Sequence, residues 1–167
     1  MFTAILFFSF FWSFSQMARP NQKIFDPKAK QKILIGYCTR DGLMSSDFST
    51  YFKDEYAKYN PDSALVKEIK PKLRQVVITI VMGTWCSDSR EQVPRFYKII
   101  DNAGYKDAVT IICVNKDKRG GPISLEGMNI EKVPTFIFYR NVKELGRIIE
   151  SPSETLEKDI LTILSKE

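Results

Sequence analysis

From Val76 to Met82 the chain is a nearly continuous β-branched and apolar run, the pattern of a strand buried on both faces in a parallel or mixed sheet. Gly83-Thr84-Trp85-Cys86 interrupts it as a loop. From Ser87 the apolar positions change period: Val93, Phe96, Tyr97, Ile99 and Ile100 recur at helical spacing until Asn102-Ala103-Gly104 ends the pattern. A second buried-type strand follows over Val109 to Asn115. A strand, a helix and a strand in this order make a right-handed crossover, so the two strands are expected side by side and parallel, with Cys86 at the carboxyl end of the first.

Ahead of this unit, Ile33 to Tyr37 reads as a short strand. Ser45 to Tyr59 carries Phe48, Tyr51, Phe52 and Tyr56 on one helical face, with Ser46 or Asp47 as the N-cap. Asn60-Pro61-Asp62 stops that helix, and a shorter one over Ser63 to Ile69 is expected to break at Pro71. Downstream, Lys116 to Ile130 is a polar connection with room for a short helix near Leu125. Thr135 to Tyr139 and Lys143 to Glu150 are strand-like and separated by Arg140-Asn141-Val142, too few residues for a crossover, so they are predicted to pair as an antiparallel hairpin. Ser151-Pro152-Ser153-Glu154 then predicts a helix start with a capping box, and Leu156, Ile160, Ile163 and Leu164 give that helix one apolar face. No internal repeat interrupts this order.

The 167 residues suit one domain with some decoration. The net charge of +5 comes from mixed Lys, Arg, Asp and Glu. That balance reads as a solvated surface and makes no case for nucleic-acid binding. Met1 to Phe14 is uncharged and rich in Phe, Ile and Leu, too short for comfortable passage through a hydrocarbon layer of about 30 Å. With Ser13 and Ser15 behind it, residues 1–15 read as a signal peptide cleaved before Gln16, although no Lys or Arg precedes the apolar core. The alternatives are an uncleaved anchor or a true start at Met17, which would leave the protein cytoplasmic. Residues 16–31 are polar, contain two Pro, and read as a linker or loose arm, so the folded domain is expected over 32–167, with its core at 76–167.

The chain has three Cys and no His. The missing His removes Cys-His catalytic pairs, imidazole metal ligands and a histidine base, and neither a metal nor another cofactor is expected. An odd number of Cys leaves at least one thiol outside any disulfide framework. Cys113 sits within Ile111-Ile112-Cys113-Val114 and reads as core. Cys38, beside Thr39 and Arg40, reads either as a half-buried structural residue or as a distant resolving partner. Cys86 stands where unpaired amide N–H groups and the positive end of a helix favour a thiolate. Asp88, in the same first turn, opposes that preference, and Ser89 is placed to return a hydrogen bond to sulfur.

The loop Trp85-Cys86-Ser87-Asp88-Ser89 resembles the Trp-Cys-x-x-Cys motif of the thioredoxin superfamily. Pro94 falls where that family carries a kinking Pro in the following helix, and Val133-Pro134-Thr135 matches its cis-Pro segment. The resemblance runs from about Ile33 to the C-terminus and is most specific from Val76 onward. It implies a thioredoxin-like α/β fold, a central mixed β-sheet flanked by helices, here with an N-terminal extension. More narrowly, the chain is similar to exported bacterial thioredoxin-like proteins, which implies a periplasmic or secreted setting in the cell envelope.

Two departures shape the expected mechanism. Ser89 stands where a dithiol protein has its resolving Cys, so no disulfide can form within the motif, and Ile80 stands where the family carries a buried acid. What remains is monothiol exchange, with Cys86 and Ser89 as the catalytic pair, Asp88 tuning the sulfur, and Trp85, Val133 and Pro134 facing the substrate. The alternative readings are an ordinary packed aromatic for Trp85 and a simple tight turn for Pro134. The expected substrates are protein or low-molecular-weight thiols and disulfides, with a transient envelope partner and a monomeric state. The rival expectation is a redox-inert thioredoxin-fold module that binds a protein.

Overall fold

The described residues of this computed structural model are 19–166 other than 46 and 108. The signal-peptide reading of 1–15, the alternative start at Met17 and the candidate cap Ser46 lie outside them. Along the chain the elements are β1 (Gln22–Asp26), β2 (Gln31–Cys38), α1 (Arg40–Leu43), α2 (Ser49–Lys58), α3 (Ser63–Lys72), β3 (Val76–Met82), α4 (Ser87–Asn102), β4 (Val109–Cys113), β5 (Thr135–Arg140), β6 (Lys143–Ile149) and α5 (Leu156–Leu164). The architecture is α/β, a six-stranded mixed sheet flanked by helices, in the order β1-β2-β4-β3-β5-β6.

β3 and β4 run parallel, Ile80 opposite Ile111, as the crossover rule requires. Every other neighbouring pair is antiparallel. The sheet divides the core in two. One face carries Ile78, Ile80, Met82, Ile111, Cys113, Phe136 and Phe138, and the helices add Phe52, Ile69, Phe96, Ile99 and Ile160 to it. Phe96 and Phe136 lie 4.8 Å apart between ring centroids at the centre of this cluster. The other face holds a smaller cluster of Val81, Ile112, Val114 and Val133, against which Trp85, Cys86, Ile123, Leu125, Met128 and Ile130 pack. No helix-interior residue contributes to that second cluster.

Several expectations change. The stretch read as a linker or loose arm contains β1, which pairs with β2 from Gln22–Ile35 to Asp26–Gln31. Four of its five residues are exposed, so it shows no buried face for a hydropathy pattern to reveal. What ties it down is polar: buried Asp26 accepts from the backbone N–H groups of Lys28, Ala29 and Lys116.

α2 begins with Phe48 in the cap position and no side-chain cap, because Asp47 pairs with Lys23 at 2.6 Å instead. α3 runs past Pro71 to Lys72, since a Pro in the last turn forfeits little of the hydrogen-bond ladder. The connection at 116–130 forms turns and an isolated Gly120–Ile123 bridge without the short helix expected near Leu125. α5 starts at Leu156, capped by Thr155, whose hydroxyl accepts from Lys158 N–H at 3.2 Å. The Ser151 capping box does not form, because Asp159 takes the backbone N–H of Ser153 at 2.7 Å. Among the described residues no helix is long and apolar enough to cross a membrane.

Candidate functional site

β3 delivers the chain to Gly83 at the end of the sheet. A Cβ there would lie 2.6 Å from indole atoms of Trp85, so only Gly lets the ring lie against this backbone. The indole N–H in turn donates to Val114 O at 2.8 Å, fixing Trp85 over the end of β4. Thr84 is fully buried, and its hydroxyl accepts from Leu34 N–H at 3.1 Å, which ties the loop to β2. The turn closes with Cys86 N–H donating to Gly83 O at 2.9 Å.

Cys86 is the N-cap of α4, with extended backbone at φ −87° and ψ 129°. Its side chain makes no capping bond and turns toward the segment before β5. The half-buried sulfur lies 3.2 Å from Val133 O and 3.8 Å from Asp88 Oδ2. Both partners are acceptors, so in this arrangement the S–H donates. The Val133–Pro134 peptide is cis. Around the sulfur opens a cleft of about 420 Å³ lined by Trp85, Cys86, Asp88, Lys116, Lys132 and Glu150. Lys132 and Glu150 pair at 2.6 Å on its rim, and the Lys116 ammonium stands 5.5 Å from the Trp85 ring. The Lys132 ammonium is held above the usual lysine range by its hydrogen bond to Glu150.

The structure thus brings Trp85, Cys86, Asp88 and Val133 together, with Pro134 next in the chain. Ser89 it places differently. This fully buried hydroxyl accepts from Gly83 N–H at 3.2 Å and makes no bond to sulfur, because the loop amide claims it first. Ser89 therefore holds the loop against the helix, and the expectation that it bonds the nucleophile is corrected.

Ile80 is fully buried on the helix-covered face, with no ionisable group in its place. Cys38 and Cys113 belong to that same face, whereas Cys86 packs on the other. The sheet stands between Cys38 and Cys86, so Cys38 is not arranged as its resolving partner. All three Cys are free thiols.

Arg90 is a site residue that sequence reasoning missed. Its Nε donates to Thr84 O at 2.7 Å, its guanidinium reaches Gln31 Oε1 at 3.2 Å, and it stacks 5.3 Å from the Tyr51 ring. It clamps the Gly83–Cys86 loop from the first turn of α4. In sequence it is one more Arg on a helix, with nothing to separate it from a solvated charge.

A larger groove, about 670 Å³, lies at the opposite end of α4 between Lys70, Arg74 and Tyr105. No Cys lines it. Among the described residues no three His, Cys, Asp or Glu side chains are grouped to hold a metal ion. No protein-family model matches the chain, and no curated protein matches it.

Proposed function

We propose that this chain is a thioredoxin-like protein of the cell envelope that exchanges thiols and disulfides through a single sulfur, Cys86. The observation that carries the reading is the position of that sulfur: at the N-cap of α4, in an open cleft, 3.2 Å from the Val133 carbonyl. The parallel β3–β4 pair, the β5–β6 hairpin and the cis Val133–Pro134 peptide beside the sulfur support it further.

In the exchange, the Cys86 thiolate attacks one sulfur of a substrate disulfide. That S–S bond breaks, a mixed disulfide forms on Cys86, and the departing thiolate takes a proton from water. An external thiolate then attacks the mixed disulfide, carries away the bound substrate half as a new disulfide, and regenerates Cys86. No second thiol of this chain is required. Trp85 offers the substrate an apolar wall, and the Val133 backbone lies where an extended segment could run beside the sulfur.

The test is capture of a glutathionylated peptide by the reduced protein, read by intact mass. A mixed disulfide on wild type and none on Cys86→Ala is expected. Equal capture by the variant overturns the assignment.

A second reading, a redox-inert protein-binding module, is favoured by one specific observation. The sulfur rests between two acceptors, Val133 O and the Asp88 carboxylate, where a thiol is satisfied and a thiolate is not. An alkylation rate at Cys86 no faster than that of the same residue in denatured protein would select this reading.

A further inference from the structure

Cys38 and Cys113 lie far apart in the chain, yet the sheet places them together. β2 pairs antiparallel with β4, with Cys38 opposite Ile111 and Gly36 opposite Cys113. Cys38 and Cys113 are therefore diagonal neighbours on one face of adjacent strands, and both belong to the helix-covered cluster. A diagonal pair is ordinarily the looser one. The residue directly across from Cys113 is Gly36, at φ +77°, where a Cβ would point away from this face, toward Gly120, Pro122 and Ile123.

The two thiols differ in access. Cys113 is 0% exposed and Cys38 is 6% exposed. Cys38 lines a cleft of about 300 Å³, with Arg40, Tyr97, Asp101 and Lys106 among its walls. Its S–H donates to Gly36 O at 3.5 Å. Interaction with the neighbouring Cys113 thiol lowers the Cys38 thiol, and interaction with Cys38, together with burial, holds the Cys113 thiol well above the ordinary range. Cys38 is thus the sulfur nearer to solvent, on the wall of a cleft, while Cys113 lies wholly inside.

We propose that Cys38 and Cys113 are a disulfide-forming pair, oxidised through the Cys38 cleft by a small soluble disulfide to a bond that joins β2 to β4. The Cys38 thiolate attacks the small disulfide, breaking its S–S bond and releasing one small thiol. Cys113 attacks the Cys38 sulfur and passes its proton to the departing small thiolate, which leaves as the second small thiol. In sum, two protein thiols lose two electrons and two protons, and one small disulfide becomes two small thiols. The step does not pass through Cys86, which lies on the other side of the sheet, and it stands whether or not Cys86 is a catalyst.

The experiment exposes the reduced full chain to glutathione disulfide, alkylates it in denaturant, and maps the Cys peptides by mass spectrometry, with Cys86→Ala in parallel. A linked Cys38–Cys113 peptide, reversed by dithiothreitol and formed equally in Cys86→Ala, is the expected result. In Cys113→Ser a stable glutathione adduct on Cys38 is expected, while Cys38→Ser should leave Cys113 unmodified. Complete alkylation of both Cys38 and Cys113 in the wild-type protein after exposure overturns the proposal. So does a linked peptide that contains Cys86. Both of these overturning results are read on the unmutated chain and do not depend on any variant folding.

Discussion

The carboxylate of Asp26 accepts the backbone N–H of Lys116 at 2.9 Å, across 90 residues of chain. Asp26 ends β1, and Lys116 stands on the rim of the Cys86 cleft, so one side chain ties the first strand to the site. The bond to Lys116 N–H, with those to Lys28 and Ala29, holds the Asp26 carboxyl below the usual range. The charged form is therefore the one that folding favours. Its contribution is fully present above the unfolded value, near 4, and is lost as pH falls through the lower folded value. Asp26→Ala should cost about 2–3 kcal/mol in urea denaturation at neutral pH. The gap between wild type and Asp26→Asn should narrow below about pH 4. An undiminished gap in acid would mean that the charge is not what matters.

Asp88 Oδ2 lies 3.8 Å from the Cys86 sulfur. Two unit charges at that separation interact by about 1 kcal/mol in water, which is roughly a fivefold effect on a rate that needs the thiolate. Asp88→Asn should therefore raise iodoacetamide labelling of Cys86 at neutral pH by about two- to fivefold, and added salt should shrink the difference. An unchanged rate would assign control of the sulfur to the Val133 carbonyl alone.

Ser89 and Cys86 share a motif but divide its work. Removing the Ser89 hydroxyl strands the buried Gly83 N–H, so Ser89→Ala should lower stability by about 1–3 kcal/mol. Its effect on Cys86 labelling in the folded protein should be small. A large change in labelling with stability untouched would restore Ser89 as a direct partner of the sulfur.

Glu157 is buried, and its carboxylate accepts from the Tyr59 hydroxyl at 2.9 Å and from Asp62 N–H at 3.2 Å. It joins α5 to the turn between α2 and α3. Burial, and then this bond, push the Tyr59 phenol up. Glu157→Ala leaves two donors without their acceptor and should cost about 2–4 kcal/mol, more than Tyr59→Phe, which removes one bond. Thermal melts of the two variants in parallel decide the order.

The β3–α4–β4 unit is legible in the sequence because its signals are local and redundant. A β-branched run, a change of period at Ser87 and the Asn102-Ala103-Gly104 stop all agree. β1 is not legible, because an edge strand with four exposed residues carries no apolar alternation, and its anchor is a carboxylate whose partner is 90 residues away. The start of α5 misleads for a related reason. Ser151-Pro152 has the composition of a cap, but Asp159 and Thr155 compete for the same amides and win. At the site, the sequence points to Cys86 and its neighbours in the chain. It does not reveal that Ser89 turns to Gly83, that Arg90 clamps Thr84, or that register sets Cys38 beside Cys113. Each of those depends on where a side chain points once the sheet has formed.

Every helix with a buried apolar interior residue spends it on one face of the sheet, leaving the Cys86 side roofed by the connection between Val114 and Pro134. The molecule therefore has a deep half and a shallow half, separated by its own strands. Opening the shallow half exposes few apolar residues, so it requires less free energy than global unfolding. Amide hydrogen exchange should divide along that partition, with the 116–130 segment exchanging well before α4 and β3. Cys86 sits on the seam. Its backbone begins a helix that stays folded while its half-buried sulfur faces a roof that can lift, so the reach of a bulky reagent to that sulfur follows the roof's opening equilibrium rather than the stability of the protein as a whole.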